Sequence, residues 1–183
     1  MAYKIAAQGT VGFQPISEIS TTKKHTLGTE VDIVDLTTGF GYGRAMYVAY
    51  PASGAIAAGI LLTFATPDGT LGTNSFVMGV LTVATHRLLG APVYVNLTAV
   101  SSVASVQYGW VLVIGIAPTL KTASKPISTS PVLLADTAGR VQIALATVDR
   151  KIAGARYVQS SVTTTTSLVN IFYNRAAISG AVS

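Results

Sequence analysis

Seven acidic residues carry all the side-chain carboxylates that acid–base or metal chemistry would draw on: Glu18, Glu30, Asp32, Asp35, Asp68, Asp136 and Asp149. Asp68 and Asp136 stand in T-P-D-G and D-T-A-G, where aspartate is expected because its side chain bonds the backbone of a turn. Glu30, Asp32 and Asp35 lie close together and would suit a hard cation. The plainer reading makes them the solvent face of a first strand. The two histidines are His25 and His86, and no H-x-H, H-x-x-x-H or H-E-x-x-H spacing presents two imidazoles to one metal. With no cysteine, thiolate ligands and disulfides are excluded. A Ser-His-Asp triad needs proximity in space only, but the chain lacks a G-x-S-x-G elbow and has one histidine, His86, within the expected body. Gly39-Phe-Gly-Tyr-Gly43 has neither the lysine of a phosphate loop nor a helix start after it, and reads as a turn. No metal, no cofactor and no catalytic group are expected.

Two further groups point to binding rather than chemistry. Tyr42, Tyr47 and Tyr50 are close in sequence, and an aromatic face for sugar or single-stranded nucleic acid is one reading. Only Arg44 accompanies them, so packing or a protein interface is the preferred one. The net charge is +5, yet no basic block is longer than Lys23-Lys24 or Arg150-Lys151. Specific nucleic-acid binding is therefore not expected. Asn96-Leu97-Thr98 matches a glycosylation sequon, a weak signal by itself.

The elements that must position these residues are strands. The chain has 183 residues, half of them hydrophobic and only 10% charged. Soluble surfaces usually need about 25–35% charged residues, so part of this surface is expected to be buried against other protein. Charge-free stretches run from Arg44 to Asp68 and from Arg87 to Lys121, long enough for a membrane helix. Pro51, Gly54 and Gly59 interrupt the first, and Pro92, Asn96 and a run of serines interrupt the second, so no membrane span is expected. Residues 1–4 open without an apolar core, unlike a secretory signal.

Residues 106–118, V-Q-Y-G-W-V-L-V-I-G-I-A-P, contain the single Trp and form the expected central strand. In strict alternation Tyr108, Trp110, Leu112, Ile114 and Ile116 point one way, and Gly109, Val111, Val113 and Gly115 the other. A strand apolar on both sides is covered on both sides. Pro118 has no N–H for a ladder and should end it. Further strands are expected over residues 31–36, 45–50, 60–65, 76–84, 93–97, 132–134, 141–146, 152–159 and 168–173, with 132–134 and 141–146 as a hairpin. Residues 80–89 also fit one helix face. The body, 30–175, is thus all-β, a small barrel or sandwich.

Residues 1–29 differ. They are polar, with a short apolar stretch broken by Gly12 and Pro15, and read as an extended N-terminal arm. Its candidate partner-binding anchors are Tyr3, Phe13 and Ile16, with Lys23 and Lys24 facing an acidic partner. A plain disordered terminus is the competing reading. Residues 176–183 form a small-residue tail. Truncation of residues 1–28 is expected to leave the body folded.

Several short motifs share a familiar layout: Y-G-W-V-L-V-I-G at 108–115, P-V-L-L-A-D-T-A-G-R-V at 131–141 and I-A-G-A-R at 152–156, followed by a β-rich end. Over roughly residues 75–173 this arrangement resembles the small capsid-associated structural proteins of tailed bacteriophages, most of all head decoration or cement proteins. The resemblance implies a barrel or β-tulip body on the outside of the virion, often trimeric, bridging neighbouring copies of the major capsid protein. It implies that the arm runs onto the shell or a neighbouring copy. The hydrophobic stretch 45–62 departs from that layout. A receptor- or glycan-binding head-fibre or tail component, and a shell-forming capsid subunit, are the alternatives.

Overall fold

The computed structural model describes residues 3–6, 12–36, 41–52, 54–64, 76–81, 90–122, 131–135, 137–142, 151–158 and 167–179. Among them are eleven strands and no helix. These are β1 (Tyr3–Ile5), β2 (Glu30–Asp35), β3 (Gly41–Tyr50), β4 (Leu61–Phe64), β5 (Met78–Val80), β6 (Tyr94–Asn96), β7 (Gln107–Lys121), β8 (Pro131–Leu134), β9 (Val141–Gln142), β10 (Lys151–Tyr157) and β11 (Ser167–Ile178). The expected strands appear in the expected order. No helix among the described residues is long and apolar enough to cross a membrane. Of the helical alternative at 80–89, Val80 instead ends β5 and Leu81 is buried without regular structure; residues 82–89, His86 among them, lie outside the described residues.

All strands join one large sheet whose main path runs β1-β2-β3-β7-β11-β10-β8-β9. β4 pairs with β5 and β6, and β6 pairs with β7. β9 returns to β7 through one parallel pair, Lys121↔Val141. β8 and β9 form the antiparallel pair expected of a hairpin. The fold is all-β and sandwich-like, with two apolar cores. The larger includes Tyr47, Trp110, Leu112, Ile171 and Tyr173, and the smaller includes Met46, Val48, Tyr50, Val111 and Val113. Consecutive residues of β3 and of β7 alternate between them, so this strand pair is apolar on both faces and covered on both faces.

The alternation of β7 is not strict. Arg44 pairs with Ile114 but Ala45 pairs with Leu112, so Val113 is an extra residue, a β-bulge. The phase flips there: Trp110 and Leu112 face the larger core and so does Ala117, whereas Val113 and Ile114 both pack on the smaller one. Gly115 follows with φ +126. A side chain at Gly115 would meet the Cα of Gly43 at 3.1 Å, and one at Gly43 would meet the carbonyl oxygen of Ile114 at 2.6 Å. The bulge therefore needs two glycines facing each other.

Pro118 does not end β7, which runs on to Lys121. Leu120 sends its N–H to the carbonyl of Gly59 at 2.9 Å rather than into the β11 ladder. Residues two apart on a strand direct their N–H groups to the same side. Pro118, opposite Asn170, therefore occupies a position where the β7–β11 ladder takes no donor. The missing N–H costs the ladder nothing.

β11 also outruns expectation. It continues through Ile178, with Ala176 and Ile178 buried, so the expected tail begins as core strand; residues 180–183 lie outside the described residues.

Replacing Gly43 with Ala should lower stability by about 1–3 kcal/mol, because the methyl meets backbone that yields only by shifting a strand. Urea unfolding of the variant against the parent measures this, and an unchanged midpoint would show that the bulge relaxes freely.

Candidate partner-binding surface

Residues 12–29, expected as an extended arm, lie folded against the body. Ile16 is buried in the larger core, and Phe13 packs on the edge of that core. The strongest demand comes from Trp110, which is fully buried and must still satisfy its indole N–H. It donates to the main-chain carbonyl of Gln14 at 3.0 Å. The Gln14 side chain, itself buried, sends its amide to the carbonyls of Glu18 at 2.7 Å and Tyr108 at 3.1 Å. Its Oε1 accepts the Tyr47 hydroxyl at 2.9 Å. Ser20 bridges to Tyr108 by two backbone bonds, and Thr98 donates its hydroxyl to the carbonyl of Ile16 at 2.9 Å.

Each expected anchor can now be placed. Tyr3 lies in β1, which pairs with β2, and its hydroxyl reaches across to the carbonyl of Ile116 at 2.7 Å. Burial, and then the nearby Asp35, push the Tyr3 phenol up. Phe13 stacks on His25 with ring centroids 4.7 Å apart. Tyr3, Phe13 and Ile16 thus make contacts within their own chain. The apolar character that marked Phe13 and Ile16 as anchors meets its partner in cis, on Trp110 and its neighbours. Lys24 is exposed and ion-paired with Glu18 at 2.5 Å, while Lys23 is exposed. Phe13, Ile16 and Lys24 come together at the start of β7; Tyr3 belongs to the opposite end of the β1–β3 ladder.

The tyrosine trio is split by position along β3: Tyr42 and Tyr50 share parity, but Tyr42 stands near the exposed start of the strand. Tyr47 and Tyr50 are fully buried, whereas Tyr42 is 79% exposed. Tyr50 donates to Oδ1 of Asn96 at 2.9 Å, and burial raises its pKa. A sugar-binding face using Tyr47 is therefore overturned, because both of its faces are in contact with core. Asn96 is buried as well, its amide bonded to the carbonyls of Ile56 and Ala57 at 3.3 and 3.0 Å. That leaves the sequon amide inside the fold. Of the acidic trio, Glu30 and Asp32 face outward and Asp35 is buried. Arg44 pairs with Glu30 at 3.5 Å and with Asp32 at 3.2 Å, and Arg175 pairs with Glu30 at 3.0 Å. The local cations are arginines of the chain itself. No group of three potential metal ligands occurs among the described residues.

What remains outward is an apolar row. Lys4 pairs with Val34, and Val34 with Tyr42, so these three side chains cross β1, β2 and β3 on one face. Leu36, the residue just past the end of β2, keeps the same parity and is 61% exposed. Tyr42, near the start of β3, and Leu36, just past the end of β2, are the two most exposed large apolar residues among those described. Lys4, Asp32 and Arg44 edge the row, giving it the apolar centre and polar margin of a protein-binding face. β1 ends the strand path beside it. The sequence carried a signal for this face: in E-V-D-I-V-D-L the apolar Val34 and Leu36 share parity with Glu30 and Asp32.

No protein-family model matches the chain, and no curated protein matches it.

Deleting residues 1–28 should destabilise the body, contrary to the expectation from sequence, since it uncovers Trp110 and withdraws its acceptor. The milder change Gln14→Ala removes the acceptor of the buried Tyr47 O–H, at about 1–3 kcal/mol. Chemical denaturation followed by Trp110 fluorescence reads both; stability equal to the parent in both variants would mean the segment is merely laid on the surface.

Proposed function

We propose that the chain is a non-enzymatic virion structural protein that binds the outside of a tailed-bacteriophage capsid and stabilises it by bridging neighbouring capsid subunits. The observation that carries this reading is the pair of exposed apolar residues Leu36 and Tyr42 beside half-buried Val34, on a chain with only 10% charged residues. The motif layout described above supplies the class of partner, the major capsid protein. A rigid sandwich with an apolar face suits cementing, which requires burial of surface and no chemistry. Apolar contact contributes roughly 25 cal/mol per Å² before the costs of association. Symmetric repetition over a shell then turns modest pairwise affinity into firm attachment. Assembly as a homotrimer would present three such faces at once.

The β1–β3 face is the bridging surface in this reading, and the 12–29 segment stays with its own body. Tyr42, an exposed aromatic with an apolar neighbour, has the character of a hot spot.

Co-sedimentation with capsid shells lacking the protein tests this. The parent should saturate the shells at a fixed ratio, and Tyr42→Asp or Leu36→Asp should weaken binding by about tenfold or more, as for loss of a residue worth over 1.4 kcal/mol. Circular dichroism should be unchanged in both variants. A chain that stays monomeric and does not sediment with shells would refute the reading; closed particles formed by the chain alone would assign it to the shell itself.

A further inference from the structure

His25 occupies an unusual place for a histidine in a segment that clasps the body. Its ring stacks on Phe13 and meets the edges of Tyr47 and Trp110 at centroid distances of 4.9 and 5.6 Å. Its Nε2 accepts the backbone N–H of Gln14 at 2.9 Å. That bond fixes the tautomer: Nε2 carries the lone pair, and the neutral ring holds its proton on Nδ1. The same residue offers its carbonyl to Trp110, and its side chain binds Tyr108 and Tyr47. One imidazole lone pair thus supports the residue through which the segment holds β7.

We infer that His25 is a proton-operated latch: protonation at Nε2 turns the acceptor of Gln14 N–H into a second donor and releases residues 12–25 from β7, while the β3–β7 ladder stays paired. Two donors then face each other at 2.9 Å, and the Gln14 N–H is stranded. The groups around the ring decide how easily this happens. On its own segment Lys24 is adjacent, with its ammonium tied to Glu18. Across from it, β3 supplies Tyr47 and β7 supplies Trp110, with Tyr108 stacked behind Tyr47. Among the described residues no carboxylate is bonded to the imidazole, and Glu18 of its own segment is engaged by Lys24. The ring face of Phe13 favours a cation. Burial, and then Lys24, outweigh it and hold the imidazole pKa below its ordinary value.

The sign follows from that direction. The unfolded or released segment takes up its proton near the ordinary histidine value of about 6.5, before the clasped one does. The clasp is therefore fully present above about pH 6.5 and weakens as pH falls from there toward the lowered value. Over that interval the opening equilibrium rises by up to about tenfold per pH unit. The inference holds whatever the β1–β3 face binds.

The single Trp makes the test direct, because the indole N–H gives one cross-peak in an amide correlation spectrum. The full chain is titrated from pH 8 to pH 5, following the His25 ring, the Trp110 indole, and the exchange protection of Ser20 and Tyr108 against that of Val48. The expected result is a common midpoint for the ring and the indole, falling protection at Ser20 and Tyr108, and unchanged protection at Val48. His25→Gln, which keeps an oxygen acceptor but does not titrate, should flatten the transition, and His86→Gln should leave it intact. An imidazole that protonates without moving the indole or the Ser20 protection would overturn the inference. So would a transition that persists in His25→Gln. If that variant fails to fold, the parent titration alone decides.

Discussion

Covering β7 on both faces is the constraint from which the rest of the structure follows. The strand carries bulky residues on both sides, so each side needs its own core, and the chain supplies two. The larger of them encloses a Trp, and an indole cannot be buried as a hydrocarbon is: its N–H must find an acceptor or its desolvation goes uncompensated. The β3–β7 ladder has its own backbone groups engaged. The acceptor comes instead from outside the sheet, from the carbonyl of Gln14. A polar N-terminal segment is thereby made part of the fold, with the Gln14 side chain and Ser20 adding bonds to Tyr108 and Tyr47 and buried Ile16 adding apolar contact.

Two buried amides share the work of fixing irregular chain to this sheet. Gln14 and Asn96 each use both amide hydrogens on main-chain carbonyls and the oxygen on a tyrosine hydroxyl, from Tyr47 and Tyr50 respectively. Those tyrosines lie on opposite faces of β3, one in each core. The pattern is symmetrical in effect: a β3 tyrosine reaches through its core, and an amide at the far side ties down a loop that has no ladder of its own. Fully satisfied, such groups fix one arrangement; half satisfied, they would be costly. This explains why Tyr47 and Tyr50, which look like ligand-binding aromatics when read along the chain, serve as internal struts.

Much of this was legible in the sequence, and the failures have physical causes. Alternation and turn residues placed the body strands because a half-buried strand writes its period directly into the chain. Trp110 was legible as core for the same reason. The bulge at Val113 was not, since an inserted residue preserves composition and changes only phase, and Gly115 looks like one more slim residue. Pro118 misled because the rule about missing donors applies only where a ladder bond falls, and which side that is depends on Leu120 finding Gly59. Phe13 and Ile16 were correctly seen as apolar residues in need of a surface. Whether that surface belongs to the same chain or a neighbour is a tertiary fact, and hydrophobicity carries no address. Gln14 left no signal, because a polar residue in a polar segment announces nothing about burial.

The distribution of charge closes the account of the surface. A chain with nineteen Lys, Arg, Asp and Glu residues has few to spend, being 12 basic and 7 acidic in total. Among them Glu18, Lys24, Glu30, Asp32, Arg44 and Arg175 are committed to ion pairs within the molecule. Exposed pairs of this kind contribute little to stability, about 0–1 kcal/mol each. Their effect is on position: the pairs Arg44–Glu30, Arg44–Asp32 and Arg175–Glu30 gather around Glu30 and Arg44, at the charged end of the β1–β3 face. Directly above them the alternation that should deliver more charge delivers Val34, Leu36 and Tyr42 instead. A solvated face would have continued the pattern of Glu30 and Asp32. The switch from charge at Glu30 and Asp32 to apolar Val34 within β2, carried on by Leu36 just past that strand and by Tyr42 on β3, divides this face into a charged end and an apolar end.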